Sequence, residues 1–96
     1  MTTLRDLLNS RVLVADGAMG TMLQAQGDLD LERDFQGLEG CNEVLNLTRP
    51  DVVSAVHRAY LEAGSDCVET NTFGTNLAAL AEYGIVDRLV ELAGAG

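Results

Sequence analysis

Ninety-six residues, 47% of them hydrophobic, with ten glycines and a single proline, describe a chain able to bury one modest core, which excludes disordered, collagenous and low-complexity classes. Fifteen acidic residues against six arginines and no lysine give a net charge of −9; phosphate backbones and anionic headgroups are repelled, so neither nucleic acid nor a membrane is expected as a partner. Only roughly 60 to 65% of the unfolded surface can be buried at this length, no apolar run nears the roughly 18 residues of a spanning helix and no leader opens the chain, so a single soluble, cytoplasmic domain is the expectation.

Thr3 to Asn9 sets Leu4, Leu7 and Leu8 at helical spacing behind a threonine able to cap, which predicts a short first helix. Arg11 to Ala15 (RVLVA) is a continuous branched-apolar run ending at Asp16-Gly17, and predicts a parallel strand buried on both faces. Ala18 to Gln26 carries Met19, Met22 and Leu23 on one face and stops at Gly27, as a helix does. From Asp28 to Asn46 periodicity vanishes among scattered acids, and the stretch reads as a long loop of the kind that serves as a lid or binding loop. Thr48 with Asp51 resembles a capping box and Pro50 suits a first helical turn. Val52, Val53, Val56, Ala59, Tyr60 and Ala63 then repeat at 3.6-residue spacing up to Gly64. Asp66 to Asn71 (DCVETN) reads as a second strand, followed by helices over Asn76–Glu82 and Val86–Ala93 on either side of Gly84.

This alternation predicts an α/β fold with right-handed parallel crossovers. Repeats of about 30 residues close an eight-unit barrel only at roughly 250 residues. The chain therefore reads as the first two βα units of a (βα)8 TIM barrel, incomplete.

Both predicted strands end in polar residues, Asp16-Gly17 on one and Glu69-Thr70-Asn71 on the other, at the end where parallel folds gather their binding loops. Gly17 and Gly20 bracket DGAMGT, and a helix starting near Ala18 suits an anion seat for a carboxylate or phosphate. The plainer alternatives stay open: Asp16 as a helix cap over a glycine turn, and Thr70 and Asn71 as caps of the next helix. His57, with no carboxylate spaced to orient it, reads as solvated. Cys41 and Cys67 fit neither a disulfide framework nor a CxxC metal knuckle and read as reduced, buried thiols; Met19 and Met22 read as core fillers.

Together, VLVADGAMGTMLQ and GCNEVLNLTRPDVVSAVHRAYLEAGSDCVETNTFGTN resemble the start of the homocysteine-binding domain in the cobalamin-dependent methionine synthase branch of the homocysteine S-methyltransferase family. The motifs DGAMGT, LTRP, YLEAG and ETNTFG stand in the family's order across nearly the entire chain. The resemblance implies that residues 1–96 are the N-terminal part of such a barrel domain. It further implies that the substrate is homocysteine, that zinc held by three cysteines turns its thiol into a thiolate, and that methylcobalamin donates the methyl group that makes methionine. It sets Asp16 toward the substrate ammonium, the N–H groups of Gly17 and Ala18 toward its carboxylate, and Glu69, Thr70 and Asn71 around the same mouth. The family's zinc cysteines belong to later strands, and neither Cys41 nor Cys67 matches them. Zinc and cobalamin are accordingly expected in the full-length enzyme and no cofactor in this chain alone, which is expected to be inactive, with no catalytic residue and with the remainder of the barrel as its partner. The alternatives are a cobalamin-independent homocysteine S-methyltransferase and a small non-catalytic amino-acid-binding module that completes its sheet by association.

Overall fold

The computed structural model describes residues 1–96 and contains six α-helices: α1 (Leu4–Ser10), α2 (Gly20–Gln24), α3 (Leu45–Thr48), α4 (Pro50–Glu62), α5 (Leu77–Glu82) and α6 (Leu89–Ala95). Short 3-10 turns at Asn42–Val44 and Val86–Arg88 lead into α3 and α6. About half of the chain is helical and none of it forms a β-strand. The expected α/β class and the incomplete TIM barrel are therefore corrected, and with them the remainder of a barrel as partner, since there is no strand for one to pair with.

The reason lies in what surrounds the two candidate strands. A parallel strand needs neighbours for its ladder and a covering layer on each face. Here Val12 and Val14 remain 85% and 56% exposed, and the two segments meet at one isolated parallel bridge, Ala15 to Cys67. Side chains occupy the ladder positions on either side of it. Asp66 Oδ2 accepts from the Val14 N–H at 2.8 Å, while the Arg11 guanidinium grips Asp66 at 2.9 and 3.0 Å. Ser65 Oγ donates to the Cys67 carbonyl at 2.7 Å. These side-chain bonds, the local one from Ser65 and the long-range ones to Asp66, compete with sheet pairing and end it here.

Two small cores hold the helices. Leu23 of α2, Leu45 of α3 and Val52, Val53 and Val56 of α4 form the first, flanked by Met19, Met22, Phe35 and Tyr60. Cys41, Val44, Leu80 and Leu92 form the second, which joins α5 and α6. Val44 and Leu45 are consecutive and serve different cores, so the 3-10 turn and α3 stitch the two together. The expected loop over Asp28–Asn46 is thus only partly a loop, and its last five residues are helical.

The first half of that segment is folded around Asp34. Arg33 binds its carboxylate through Nε at 3.0 Å and Nη2 at 2.8 Å, Arg49 reaches it at 3.4 Å, and it also accepts from the Asp30 N–H at 2.9 Å. These partners let an aspartate lie buried, and the Arg33 guanidinium holds its carboxyl well below the usual carboxylate range.

Helix α1 is capped as the sequence indicates: Thr3 Oγ1 accepts from the Asp6 N–H and Asp6 from the Thr3 N–H. Helix α4 starts at Pro50, but Thr48 does not cap it; its hydroxyl donates to the Asp34 carbonyl, and Arg49 occupies the cap position. At Gly64 the backbone turns left-handed (φ 111°), which glycine tolerates and which ends α4. The radius of gyration, 15.1 Å, exceeds the about 13 Å of a closed domain of this size. No helix is long and apolar enough to cross a membrane.

Candidate functional site

The bridge between Ala15 and Cys67 brings the two polar segments that follow it side by side. Asp16, first after the bridge, places both carboxylate oxygens 3.2 Å from the Glu69 nitrogen and accepts its N–H. It therefore does not cap a helix: α2 begins at Gly20, and its cap position, Met19, makes no side-chain bond. The expected helix terminus at Ala18 is displaced by two residues and the helix is only five residues long, so the loop carries whatever the DGAMGT segment can offer. The N–H groups of Gly17 and Ala18 have no acceptor within the chain.

Helix α4 positions that loop. Tyr60 Oη donates to the Ala18 carbonyl at 2.6 Å, and a Cβ on Gly17 would stand 3.2 Å from the same hydroxyl, so glycine allows the close approach. The opposite wall comes from the 3-10 turn. Asn71 Nδ2 donates to the Asn42 carbonyl and to Asn46 Oδ1, both at 2.9 Å, and Asn46 Nδ2 returns a bond to the Asn71 carbonyl at 2.7 Å. Asn46 and Asn71 are both buried, and this reciprocal pair satisfies them. Glu43 Oε2 accepts from the Gly74 N–H at 3.1 Å, where a Cβ would meet Glu43 Oε1 at 2.7 Å. Thr70 and Thr72 share a hydroxyl hydrogen bond of 2.8 Å, and Asn76, not Thr70 or Asn71, caps the next helix by accepting from the Ala79 N–H.

These segments enclose an open cavity of about 280 Å³ lined by Asp16, Gly17, Met19, Gly20, Asn42, Glu43, Glu69, Thr70, Asn71 and Phe73. Of the six residues the sequence singles out, Asp16, Gly17, Glu69, Thr70 and Asn71 are in this lining; Ala18 is beside it, its carbonyl turned to Tyr60. Asn42 and Glu43 follow Cys41 in the segment beginning GCNEVLN, and Phe73 lies within ETNTFG; none of the three stands out in the sequence as a site residue. Three carboxylates and no cationic side chain line the cavity.

A model of the homocysteine S-methyltransferase family matches residues 13–96. The chain belongs to that family. Over 95 residues it is 61% identical to the methionine synthase of Mycobacterium tuberculosis (strain ATCC 25618 / H37Rv) and 57% identical to that of Mycobacterium leprae (strain TN). Each alignment covers 99% of this chain and 8% of the relative, so the chain spans a small part of the length of these relatives.

The resemblance attaches zinc and cobalamin to the reaction; no three His, Cys, Asp or Glu side chains cluster here as a metal site, so no zinc ligand set lies among these residues. Cys41 is buried in the second core, where burial raises its thiol pKa, whereas Cys67 is exposed rather than buried as expected. His57 differs from the solvated residue expected, since its Nδ1 is buried without a hydrogen-bond partner.

Proposed function

We propose that this chain forms part of a homocysteine-binding domain and supplies one side of the seat for the substrate's amino acid head group. In this reading Asp16 receives the ammonium, the free N–H groups of Gly17 and Ala18 receive the carboxylate, and Glu69, Thr70 and Asn71 border the bound molecule. The reaction served is methyl transfer to the homocysteine sulfur, giving methionine. The observation that carries the reading is the joining of Asp16 to Glu69 across 53 residues of sequence, at a cavity in a chain of the homocysteine S-methyltransferase family. A volume near 280 Å³ is at the small end for ligand pockets and suits a single amino acid. The residues present hold no ligand set for zinc, and no step is assigned to zinc or to a corrinoid. A cytoplasmic setting belongs to the same reading and is supported by two free thiols.

An ammonium on a partly dry carboxylate contributes about 1.5 to 3 kcal/mol. Asp16→Asn, which keeps an acceptor for the Glu69 N–H, therefore weakens homocysteine binding by roughly 10- to 150-fold. Isothermal titration of L-homocysteine into the reduced wild-type and variant chains checks this; equal dissociation constants with an intact fold remove Asp16 from the seat.

A further inference from the structure

We propose that Glu43 is a specificity-determining residue of this cavity, selecting ligands that carry an α-ammonium over those that carry a carboxylate alone. The assignment rests on the functional reading above and deepens it.

Asp16 and Glu69 belong to the two segments joined by the bridge, but Glu43 reaches the cavity from the 3-10 turn on the opposite wall. Its position is fixed. Oε2 is tied to the Gly74 N–H at 3.1 Å, and the absence of a side chain at Gly74 leaves room for the carboxylate, whose Oε1 has no partner within the chain. Glu69, in contrast, makes no side-chain hydrogen bond and is exposed, so ordering it on a ligand costs rotamer entropy that Glu43 has already lost. A carboxylate held before the ligand arrives contributes more to selectivity than one that must be gathered. The lining contains no arginine or histidine to neutralise it. An anionic ligand without an ammonium therefore meets repulsion from Glu43, whereas a zwitterion offsets it.

The test compares L-homocysteine with 4-sulfanylbutanoate, which is homocysteine without its amino group, by titration into the reduced 96-residue chain and its Glu43→Gln variant. Glutamine retains an acceptor for the Gly74 N–H and removes only the charge. The wild type is expected to prefer homocysteine, and Glu43→Gln to shrink that preference about 5- to 20-fold, with binding of the deamino analogue unchanged or tightened. An unchanged preference, or an equal loss for both ligands as a merely structural role would produce, overturns the assignment while leaving the functional reading intact. Failure of the wild type to bind homocysteine overturns the functional reading itself and the assignment with it. Should the variant not fold, the ¹³C carboxyl resonance of Glu43 in the wild type decides: displacement by homocysteine but not by 4-sulfanylbutanoate supports the assignment, and any other pattern contradicts it.

Discussion

The reciprocal amide pair between Asn46 and Asn71 is where the wall of the cavity depends most on a few hydrogen bonds. Asn71→Ala removes the two bonds donated by Nδ2, at 2.9 Å each, to Asn46 Oδ1 and the Asn42 carbonyl. The first leaves a buried oxygen without a donor, at about 1 to 3 kcal/mol, and the second strands a carbonyl on a half-buried residue that water can reach, at about 0.5 to 1.5 kcal/mol. A loss of about 1.5 to 4.5 kcal/mol follows, a large share of the 5 to 14 or so kcal/mol that about a hundred residues command. Asn46→Ala removes the same partnership from the other side and orphans the Asn71 carbonyl, which accepts at 2.7 Å. Its cost is similar. The double variant strands the same two backbone carbonyls but leaves no unpaired half of the Nδ2–Oδ1 bond, so it is expected to be less destabilised than the sum of the single variants by about 1 to 2 kcal/mol. Urea unfolding of the four proteins, followed by far-UV circular dichroism, measures this coupling. Additivity within about 0.5 kcal/mol refutes the claim that the two amides act as one unit.

Leu45→Ala, in a fully buried position between α2 and α4, should cost about 2 to 5 kcal/mol in the same urea assay; a loss below about 1 kcal/mol contradicts the first core as described. Tyr60→Phe, which removes the bond to the Ala18 carbonyl, should destabilise by about 0.5 to 1.5 kcal/mol and shift the amide resonances of Gly17 and Ala18. The Arg11 guanidinium and the Val14 N–H hold the Asp66 carboxyl down to about 2 from an ordinary value of 3.8. Because the folded pKa is the lower one, the stabilisation is complete above about pH 4 and is lost as pH falls toward 2. Melting temperatures of wild type and Asp66→Asn should accordingly differ at pH 5 and converge near pH 2; a constant difference sinks this. Cys67 should react with a thiol reagent in the native state and Cys41 only on unfolding, where its burial and raised pKa no longer protect it.

Helices that carry their own instructions were legible in the sequence. Thr3 and Asp6 cap α1, Pro50 opens α4, and the valines of α4 point to one core because their spacing leaves them no other arrangement. Gly64 and Gly84 stop helices with left-handed backbones that glycine alone adopts cheaply. The strands were not legible, because RVLVA and DCVETN record a preference that is realised only when neighbours supply a ladder and a cover. Asp66 and Ser65 fill the available positions with side-chain bonds instead. The helical residues Asn42–Asn46 are hidden within the expected loop for a related reason: NEVLN has no amphipathic period, since Val44 and Leu45 face different cores. At the site, Asp16 and Glu69–Asn71 stood out as polar residues after apolar runs. Glu43 and Tyr60 did not, because what recommends them is contact with the distant residues Gly74 and Ala18.

The central claim, that the cavity between Asp16 and Glu69 receives an amino acid head group, is tested most directly by following backbone amide resonances of the reduced chain during titration with L-homocysteine. The account predicts saturable shifts at Gly17, Ala18, Glu69 and Thr70, where the N–H groups border the ligand, with little movement in α1 or α6. Resonances that stay in place at those four residues, or that move only elsewhere, would contradict it.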